Sequence, residues 1–416
     1  MSVRFHIMIL SGGSLIGQNI LDSLEGRRDR VRLTGVNRDA DHPRLFRYDR
    51  VHLCPPLEAD SFRPFLLDLV ERERPDAILP GRDHDTVELA ELAAAFPELR
   101  KRIPCGDPEA ARTLNDKGLS YRFAERHALP FAPTCLVEDE GREAVRAWAA
   151  AQGFPLLAKP RRGYGSLGVR ILTRPEQLDA FLDRHGEGYI LQKYLDLDPE
   201  RERFIEEYLR DLDCGVPLFA HLPEERQYAG QAVIAPDGRV GRVFTSVNRM
   251  VIGRCERSAP HPDPELEAVT RAYAEAMAAS GWRGMFNLQC RRTPDAYAAH
   301  EMNGRMSGST SARRWLGYDE VRELLSTWFG VDIGPDGREG GARGAESGEG
   351  TVCRSLSDDF VARRDVERLA RERVWDRDSN PGHPPIRARV RDANPGHPRN
   401  RVRDSDQGEG GQERRG

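Results

Sequence analysis

Two neighbouring segments of alternating polar and apolar residues, at positions 284–305, constrain the fold of this 416-residue chain most. They read GMFNLQC and YAAHEMNGR, and a short polar stretch, RRTPDA, joins them. Because successive side chains of a strand point to opposite faces, Asn287 and Gln289 share one face of the first segment. Glu301 and Asn303 share one face of the second. The alternation predicts two paired strands with one apolar face and one face rich in oxygen atoms.

Oxygen atoms on neighbouring strands suit a hard cation. Mg²⁺ prefers oxygen ligands in near-octahedral geometry, and proteins usually bind it with one or two carboxylates together with substrate phosphates. Gln289, Glu301 and Asn303 offer three such oxygens. A solvated sheet face would show the same alternation, so the two strands alone leave both interpretations open.

The residues around Glu301 favour the metal site. The run Glu-x-Asn-x-Arg ends at Arg305, and Ser-Gly-Ser-Thr follows at 307–310. This run resembles the metal-binding strand and following loop of the ATP-grasp superfamily. The preceding Asn-x-Gln is most similar to the ATP-grasp domains of the carbamoyl-phosphate synthetase large chain. The resemblance implies that the Gln, Glu and Asn bind ATP together with Mg²⁺ (or Mn²⁺). Gly304 departs from the family, which usually has proline there.

Length, charge and cysteine content limit the classes of protein to which this chain can belong. A chain of 416 residues is expected to form two to four domains. Its net charge of -4 argues against general nucleic-acid affinity. Seven scattered cysteines without a Cys-x-x-Cys pair argue against a disulfide framework or a zinc site. No run approaches the ~20 apolar residues of a membrane span. We therefore expect a soluble, cytoplasmic protein that acts on small molecules.

Residues 1–112 read as alternating strands and helices. FHIMIL predicts a buried strand, SGGSLIGQNILDSL a glycine turn that opens a helix, and VRLTGVNRD the next strand of a parallel βαβ unit. Ser14 interrupts the dinucleotide-binding pattern G-x-G-x-x-G, so a nicotinamide-binding domain is the weaker interpretation. The region resembles the Rossmann-like pre-ATP-grasp α/β domain of the superfamily. Because strand tips of that domain face the substrate, the resemblance implies a substrate role for Arg82 in the loop at 82–85.

Residues 113–188 are expected to form a small lid subdomain. A strand ends at Lys159-Pro160, and a glycine-rich loop separates it from the next strand. Glycines let a loop approach phosphates through bare N–H groups and let it open and close. Only four of the 63 basic residues are lysines, and Lys117 and Lys159 are two of them. Resemblance to the ATP-grasp flap implies that both lysines bind ATP. It also assigns four flap residues to the phosphates: Gly163, Gly165, Ser166 and Gly168.

Residues 189–334 are expected to form the large subdomain with the metal site. YILQKYL resembles the superfamily's strand and linker that contact adenine. This implies adenine contacts from the Gln192 side chain and from the backbone of Lys193, Tyr194 and Leu195. A charged, helix-like insertion at 196–224 is expected to be an exposed addition.

The loop after the metal strand meets the acceptor substrate in similar proteins. The resemblance therefore implies substrate contacts for Ser307, Ser309 and Arg314, because arginine can bind a carboxylate through two parallel hydrogen bonds. A helix-surface position is the alternative for Arg314. From 335 onward the sequence is rich in Gly, Arg, Asp, Glu, Ser and Pro, which predicts a disordered tail. A short helix near 358–375 is the alternative for that part of the tail.

The resemblance covers roughly residues 5–330 and implies a pre-ATP-grasp domain followed by a two-lobed ATP-grasp fold of the α+β type. It implies a ligase that activates a carboxylate as an acylphosphate with ATP and transfers it to an amine or similar nucleophile. Arg305 and Lys159 would be catalytic, with Arg305 meeting developing charge on the phosphate or acyl group. A bicarbonate-using carboxylase or carbamoyl-phosphate-type enzyme and a non-catalytic ATP-binding module remain alternatives. Such relatives are often dimers, which suggests a homodimer.

Overall fold

The computed structural model describes residues 4–163, 165–195, 199–210, 224–251, 253–334, 350–354 and 361–379. Within these ranges the strands fall into three sheets. In chain order the strands are β1 (Phe5–Ile9), β2 (Val31–Asn37), β3 (Arg50–Leu53), β4 (Ala77–Leu79), β5 (Thr134–Leu136), β6 (Leu156–Pro160), β7 (Arg170–Leu172), β8 (Tyr189–Lys193), β9 (Glu224–Ile234), β10 (Phe244–Val251), β11 (Arg254–Pro260), β12 (Gly284–Arg292), β13 (Tyr297–Asn303), β14 (Val352–Cys353) and β15 (Val374–Asp376).

Helices cover or connect the strands of all three sheets. In the described ranges the α-helices are α1 (Leu15–Ser23), α2 (Phe62–Glu73), α3 (Asp83–Ala95), α4 (Pro108–Asn115), α5 (Lys117–Arg126), α6 (Arg142–Gln152), α7 (Pro175–His185), α8 (Pro199–Arg210), α9 (Pro264–Ala279), α10 (Thr310–Trp315), α11 (Glu320–Phe329) and α12 (Arg363–Glu372). None of the helices described is long and apolar enough to cross a bilayer.

The N-terminal sheet has the order β15-β3-β2-β1-β4, and β1 to β4 are parallel neighbours, which confirms the predicted βαβ unit. The glycine turn before α1 is bonded within its own domain. The amide of Gly12 donates to the Val36 carbonyl (2.9 Å), and that of Gly13 donates to Asn37 Oδ1 (3.1 Å). Amides that would cradle a pyrophosphate are thus already paired, which counts further against the nicotinamide-binding interpretation.

The small sheet has the order β5-β8-β6-β7, with antiparallel neighbours throughout. Its core includes Val145 of α6, Leu156 of β6 and Phe181 of α7. Strand β8 lies between β5 and β6, so the boundary predicted at 188/189 is too early by one strand. The YILQKYL segment closes the small sheet first and only then leads to the linker.

The large sheet has the order β13-β12-β9-β10-β11-β14. Helix α9 packs against it through Leu266, Tyr273 and Met277, which are completely buried. The insertion does contain a helix, α8, as predicted, and residues 211–223 lie outside the described ranges.

The structure describes two segments of the tail, 350–354 and 361–379, and the short helix left open near 358–375 is present as α12. Strand β14 extends the edge of the large sheet beside β11, and β15 pairs antiparallel with β3. Trp375 is 1% exposed and meets Phe46 edge-to-face, with 5.3 Å between ring centroids. One tryptophan and the buried Leu369 anchor a segment whose average composition is polar. The rest of the tail lies outside the described residues.

Candidate functional site

A cavity of about 550 Å³ lies where the three sheets meet. Its walls come from the N-terminal domain, the glycine-rich loop after β6, the linker after β8 and the polar face of the large sheet. Most residues predicted as functional line it. They are Arg82, Lys117, Lys159, Gly163, Gly165, Ser166, Gln192, Lys193, Tyr194, Leu195, Gln289, Glu301, Arg305, Ser307 and Ser309. Gly168, Asn303 and Arg314 are not among the described residues of the wall.

Gln289 and Glu301 are direct cross-strand partners in β12 and β13, so their side chains share one face. Gln227 on β9 donates from its Nε2 to Gln289 Oε1 (2.6 Å), which fixes the orientation of that amide. No cluster of three or more His, Cys, Asp or Glu side chains among the described residues could hold a metal by itself. Two protein oxygens facing a cavity fit Mg²⁺ that arrives with phosphate oxygens as its other ligands.

Asn303 lies one pair further along the same strands, opposite Asn287. It is 2% exposed, and its Nδ2 donates to Asn287 Oδ1 over 3.4 Å. Asn287 is among the described residues that line the cavity, and Asn303 is not. Of the three predicted ligands, Asn303 is therefore the one that the structure places outside the cavity.

Gly304 has a packing reason to replace the usual proline. A Cβ at this position would lie 2.6 Å from Cζ2 of Trp282, which is completely buried. The tryptophan occupies the space that any side chain at 304 would need.

Lys117 connects the glycine-rich loop with strand β13. Its Nζ donates to the Gly163 carbonyl (3.2 Å) and lies 3.7 Å from Glu301 Oε1. Asp116 caps helix α5 by accepting from the amides of Gly118 and Leu119, which fixes the start of the helix that carries Lys117. The lysine thus stands between the glycine-rich loop and the predicted metal ligands.

Lys159 lies at the linker end of the cavity. Its Nζ donates to Gln192 Oε1 (2.6 Å), and Gln192 Nε2 in turn donates to Thr134 Oγ1 (3.1 Å). Burial lowers the pKa of Lys159 to about 8, and the nearby charges of Lys117 and Arg291 act in the same direction. An ammonium that is costly to bury alone is suited to pair with a phosphate.

Lys193 and Gly168 have structural contacts of their own, and the adenine contact predicted for Lys193 involves only its backbone. The ammonium of Lys193 donates to the Gly153 carbonyl at the end of α6, so this side chain serves the lid's own structure (3.1 Å). Gly168 has a φ of +77°, and a Cβ there would lie 3.0 Å from Pro160 Cγ. Gly168 lies where the loop turns back towards β7, and it is not among the described residues that line the cavity.

Arg305 reaches across to the N-terminal domain. Its Nε lies 2.7 Å from Asp83 Oδ1, and its Nη2 donates to Asp83 Oδ2 (2.8 Å). Both side chains are about nine-tenths buried. The guanidinium of Arg305, which was predicted to meet charge on the substrate, therefore already binds a carboxylate of the protein.

The loop after β13 is held by buried polar contacts. Arg313, which is 1% exposed, donates to Ser307 Oγ (2.5 Å) and forms an ion pair with the buried Glu320. Arg314 instead donates to the carbonyls of Asp22 and Ser23 at the end of α1. Adjacent residues of a helix point about 100° apart, so only one of the two arginines faces the loop. The described contacts of Arg314 are therefore with α1, and Arg313 is the arginine on the cavity wall.

A β-bulge adds a residue that sequence reasoning missed. The register of β12 and β13 shifts after the Gln289–Glu301 pair, and Cys290 faces Ala299. His300 therefore has no direct cross-strand partner, and both His300 and Glu301 line the cavity. Burial, followed by the charges of Lys159, Arg291 and Lys117, lowers the pKa of His300 well below its ordinary value. Simple strand alternation would send these two neighbours to opposite faces, so the sequence held no signal for this.

Arg291 and Glu224 form a second missed group, an ion pair on the same wall (Nη2 to Oε2, 3.0 Å). Glu224 is the glutamate at the start of β9 that lines the cavity, whereas Glu225 pairs with Arg249 and Arg257.

No protein-family model matches the chain. Among curated relatives, the formate-dependent phosphoribosylglycinamide formyltransferase of Azotobacter vinelandii is 30% identical over 200 residues, which are 46% of this chain and 48% of the relative. The same protein of Edwardsiella ictaluri is 28% identical over 173 residues, or 42% of this chain and 41% of the relative. The chain thus spans about half the length of the curated relatives that it matches.

Solved structures resemble a larger part of the chain. N5-carboxyaminoimidazole ribonucleotide synthetase from Thermus thermophilus has a TM-score of 0.58 at 19% identity and covers 79% of this chain and 80% of its own. The biotin carboxylase domain of the Hydrogenobacter thermophilus 2-oxoglutarate carboxylase, in complex with MgADP and bicarbonate, has a TM-score of 0.55 at 16% identity over 79% of this chain and 71% of its own. These likenesses confirm the predicted α/β and α+β architecture. The chain shares the fold of these proteins, which are ATP-grasp enzymes.

Proposed function

We propose that the chain is an ATP-dependent ligase that activates a carboxylate as an acylphosphate and transfers it to an amine or similar nucleophile. One observation carries the proposal. Lys117 Nζ lies 3.2 Å from the Gly163 carbonyl and 3.7 Å from Glu301 Oε1. A basic side chain therefore lies between the flap and the carboxylate that we propose as a metal ligand. This arrangement suits a nucleotide whose phosphates lie between flap and large sheet.

The nucleotide would lie along the cavity with its base at the linker 192–195 and its phosphates near Lys117. Gln289 and Glu301 would hold Mg²⁺, which would neutralise charge on the phosphate oxygens when bound. Lys117 and Lys159 would add positive charge to the same oxygens, and the flap would exclude water from the transferred phosphoryl group. Positioning and charge neutralisation account for most of the catalysis in such transfers, so no side chain need act as a nucleophile.

The acceptor would lie at the opposite end, between the N-terminal domain and the loop after β13. Ser307, Ser309 and Arg82 would contact it there. Because Arg305 is paired with Asp83, we assign it a structural role in holding the two domains and the acceptor loop in place. Its positive charge would also stabilise the transferred group.

The relatives support two versions of the reaction. The formyltransferase relatives depend on formate by name, which favours a small carboxylate as substrate. The biotin carboxylase domain was solved with bicarbonate and as a dimer, which favours the bicarbonate alternative and keeps a homodimer as an expectation. Both versions use the same nucleotide site.

An ADP-release assay separates these functions. The protein would be incubated with Mg-ATP and a panel of formate, amino acids and small carboxylates, each with and without an amine, and with bicarbonate alone. ADP release that needs both a carboxylate and an amine supports the ligase. Release with bicarbonate alone indicates the carboxylase-type reaction, and ATP binding without release across the panel indicates a non-catalytic module.

A further inference from the structure

His300 carries two buried ring nitrogens that have no hydrogen-bond partner among the described residues. The histidine nevertheless lines the cavity, because the bulge turns it to the same side as Glu301. Buried polar atoms in native proteins are almost always paired, so an unpaired imidazole at a ligand cavity points to a partner supplied by the ligand.

The position of His300 indicates which part of a ligand it would meet. Glu301, the next residue, lies beside Lys117 at the flap end of the cavity. On the other side, Lys159 lines the same cavity and is bonded to Gln192 at the start of the linker. His300 therefore lies between the phosphate end and the base end.

The chemistry of the ring narrows the choice further. Lys117 and Lys159 already offer two ammonium groups to the phosphates of the proposed nucleotide, so a further cation is not needed there. A neutral imidazole offers one donor and one acceptor, which match the ring nitrogens, amino group or hydroxyls of a nucleoside. We propose that His300 hydrogen-bonds the nucleoside portion of the nucleotide, its base or its ribose, and thereby helps to select the nucleotide. This inference rests on the proposed ATP site.

The test compares nucleotide with inorganic tripolyphosphate. Calorimetry would measure the binding of Mg-ATP and of Mg-tripolyphosphate to the wild type and to His300→Leu. We expect ATP binding to weaken by about tenfold in the variant, the scale of one lost hydrogen bond, and tripolyphosphate binding to change by less than about twofold. His300→Gln, which keeps a donor and an acceptor, should recover most of the ATP affinity. The wild type and His300→Leu would then be compared with 2′-deoxy-ATP as the ligand. Equal binding by the two proteins would assign the contact to the ribose, and weaker binding by the variant would assign it to the base.

Folding is checked in the same variants. Because the ring nitrogens of His300 have no protein partner among the described residues, leucine removes no hydrogen bond seen there, and the Tm without nucleotide should stay equal or rise. His261→Leu is the matched control. His261 lies outside the cavity wall and is bonded through Nε2 to the Tyr297 hydroxyl (2.8 Å), so its loss should lower the Tm and leave ATP affinity unchanged.

Several results would overturn the inference. Unchanged ATP affinity in His300→Leu, with or without a lower Tm, would make His300 a structural residue. Equal losses for ATP and tripolyphosphate would make it a phosphate contact. A wild type that binds no ATP would overturn the proposed function together with this inference, whereas the first two results overturn the inference alone.

Discussion

Arg305, two residues beyond strand β13, and Asp83, at the start of helix α3, form a two-pronged ion pair across the domain boundary. The pair joins the strand that carries Glu301 to the loop that carries Arg82. The proposed metal site and the proposed acceptor site therefore lie on two domains that this ion pair joins. Any movement of one domain relative to the other must therefore also displace Arg305.

Breaking this pair should affect both stability and turnover. Asp83→Asn leaves a largely buried guanidinium without its counter-charge, and we expect a loss of about 2–4 kcal/mol in the free energy of unfolding. ADP release should fall as well, because Arg305 loses its fixed position. Urea denaturation and the ADP assay measure the two effects. Asp183→Asn, which removes the exposed pair with Arg142, is the control and should change neither. A stable, fully active Asp83→Asn protein would contradict the account.

Glu301 should be needed for turnover and dispensable for folding. Its side chain is 24% exposed, and Lys117 is the partner that the ion-pair geometry shows. Glu301→Ala should therefore abolish ADP release and leave the thermal unfolding curve nearly unchanged. Glu367→Ala, on the exposed face of α12, is the control for a carboxylate outside the cavity. Activity near the wild-type level in Glu301→Ala would exclude the proposed metal site.

Nucleotide binding should depend on pH through Lys159. The group is an ammonium below its lowered pKa of about 8, and only the ammonium attracts phosphate. ATP affinity should be highest below pH 8 and should fall as the pH rises through and above that value. Calorimetry between about pH 7 and 9.5 measures the slope, and Lys159→Met should bind ATP weakly with the slope removed. An equal slope in Lys159→Met would assign it to another group.

The same shift has the opposite effect on the nucleotide-free protein. In the unfolded chain the lysine has its ordinary, higher pKa of 10.5, so the unfolded state binds more protons between about pH 8 and 10.5. The contribution of Lys159 to folding stability therefore increases with pH in that window. Comparing the pH dependence of urea denaturation for the wild type and Lys159→Met isolates this contribution.

The ordered part of the tail should contribute to stability. Trp375→Ala removes a fully buried side chain from its contact with Phe46, which should cost about 3–5 kcal/mol. Val374→Ala is the matched control, because Val374 is 38% exposed on the same strand. Equal and small effects of the two substitutions in urea denaturation would mean that β15 does not hold the tail on the N-terminal sheet.

Sequence reasoning succeeded where a regular pattern specified the structure. Strict alternation fixed the faces of β12 and β13, and the Gln289–Glu301 pair follows from it. It failed where one residue breaks the pattern, since the bulge at His300 leaves no mark in the alternation. It also could not choose between Arg313 and Arg314, because that choice depends on how α10 rests against α1. The pairing of β15 with β3 could not be predicted, because a single aromatic residue, Trp375, does not change the average composition of a polar segment.

The central claim is that Mg-ATP lies between the glycine-rich loop and the polar face of the large sheet. A crystal structure with Mg²⁺ and a non-hydrolysable ATP analogue tests it most directly. We expect the phosphates within hydrogen-bonding distance of Lys117 and Lys159, and the metal bound by Gln289 and Glu301. A nucleotide bound elsewhere, or a metal that contacts neither of these two side chains, would contradict the account.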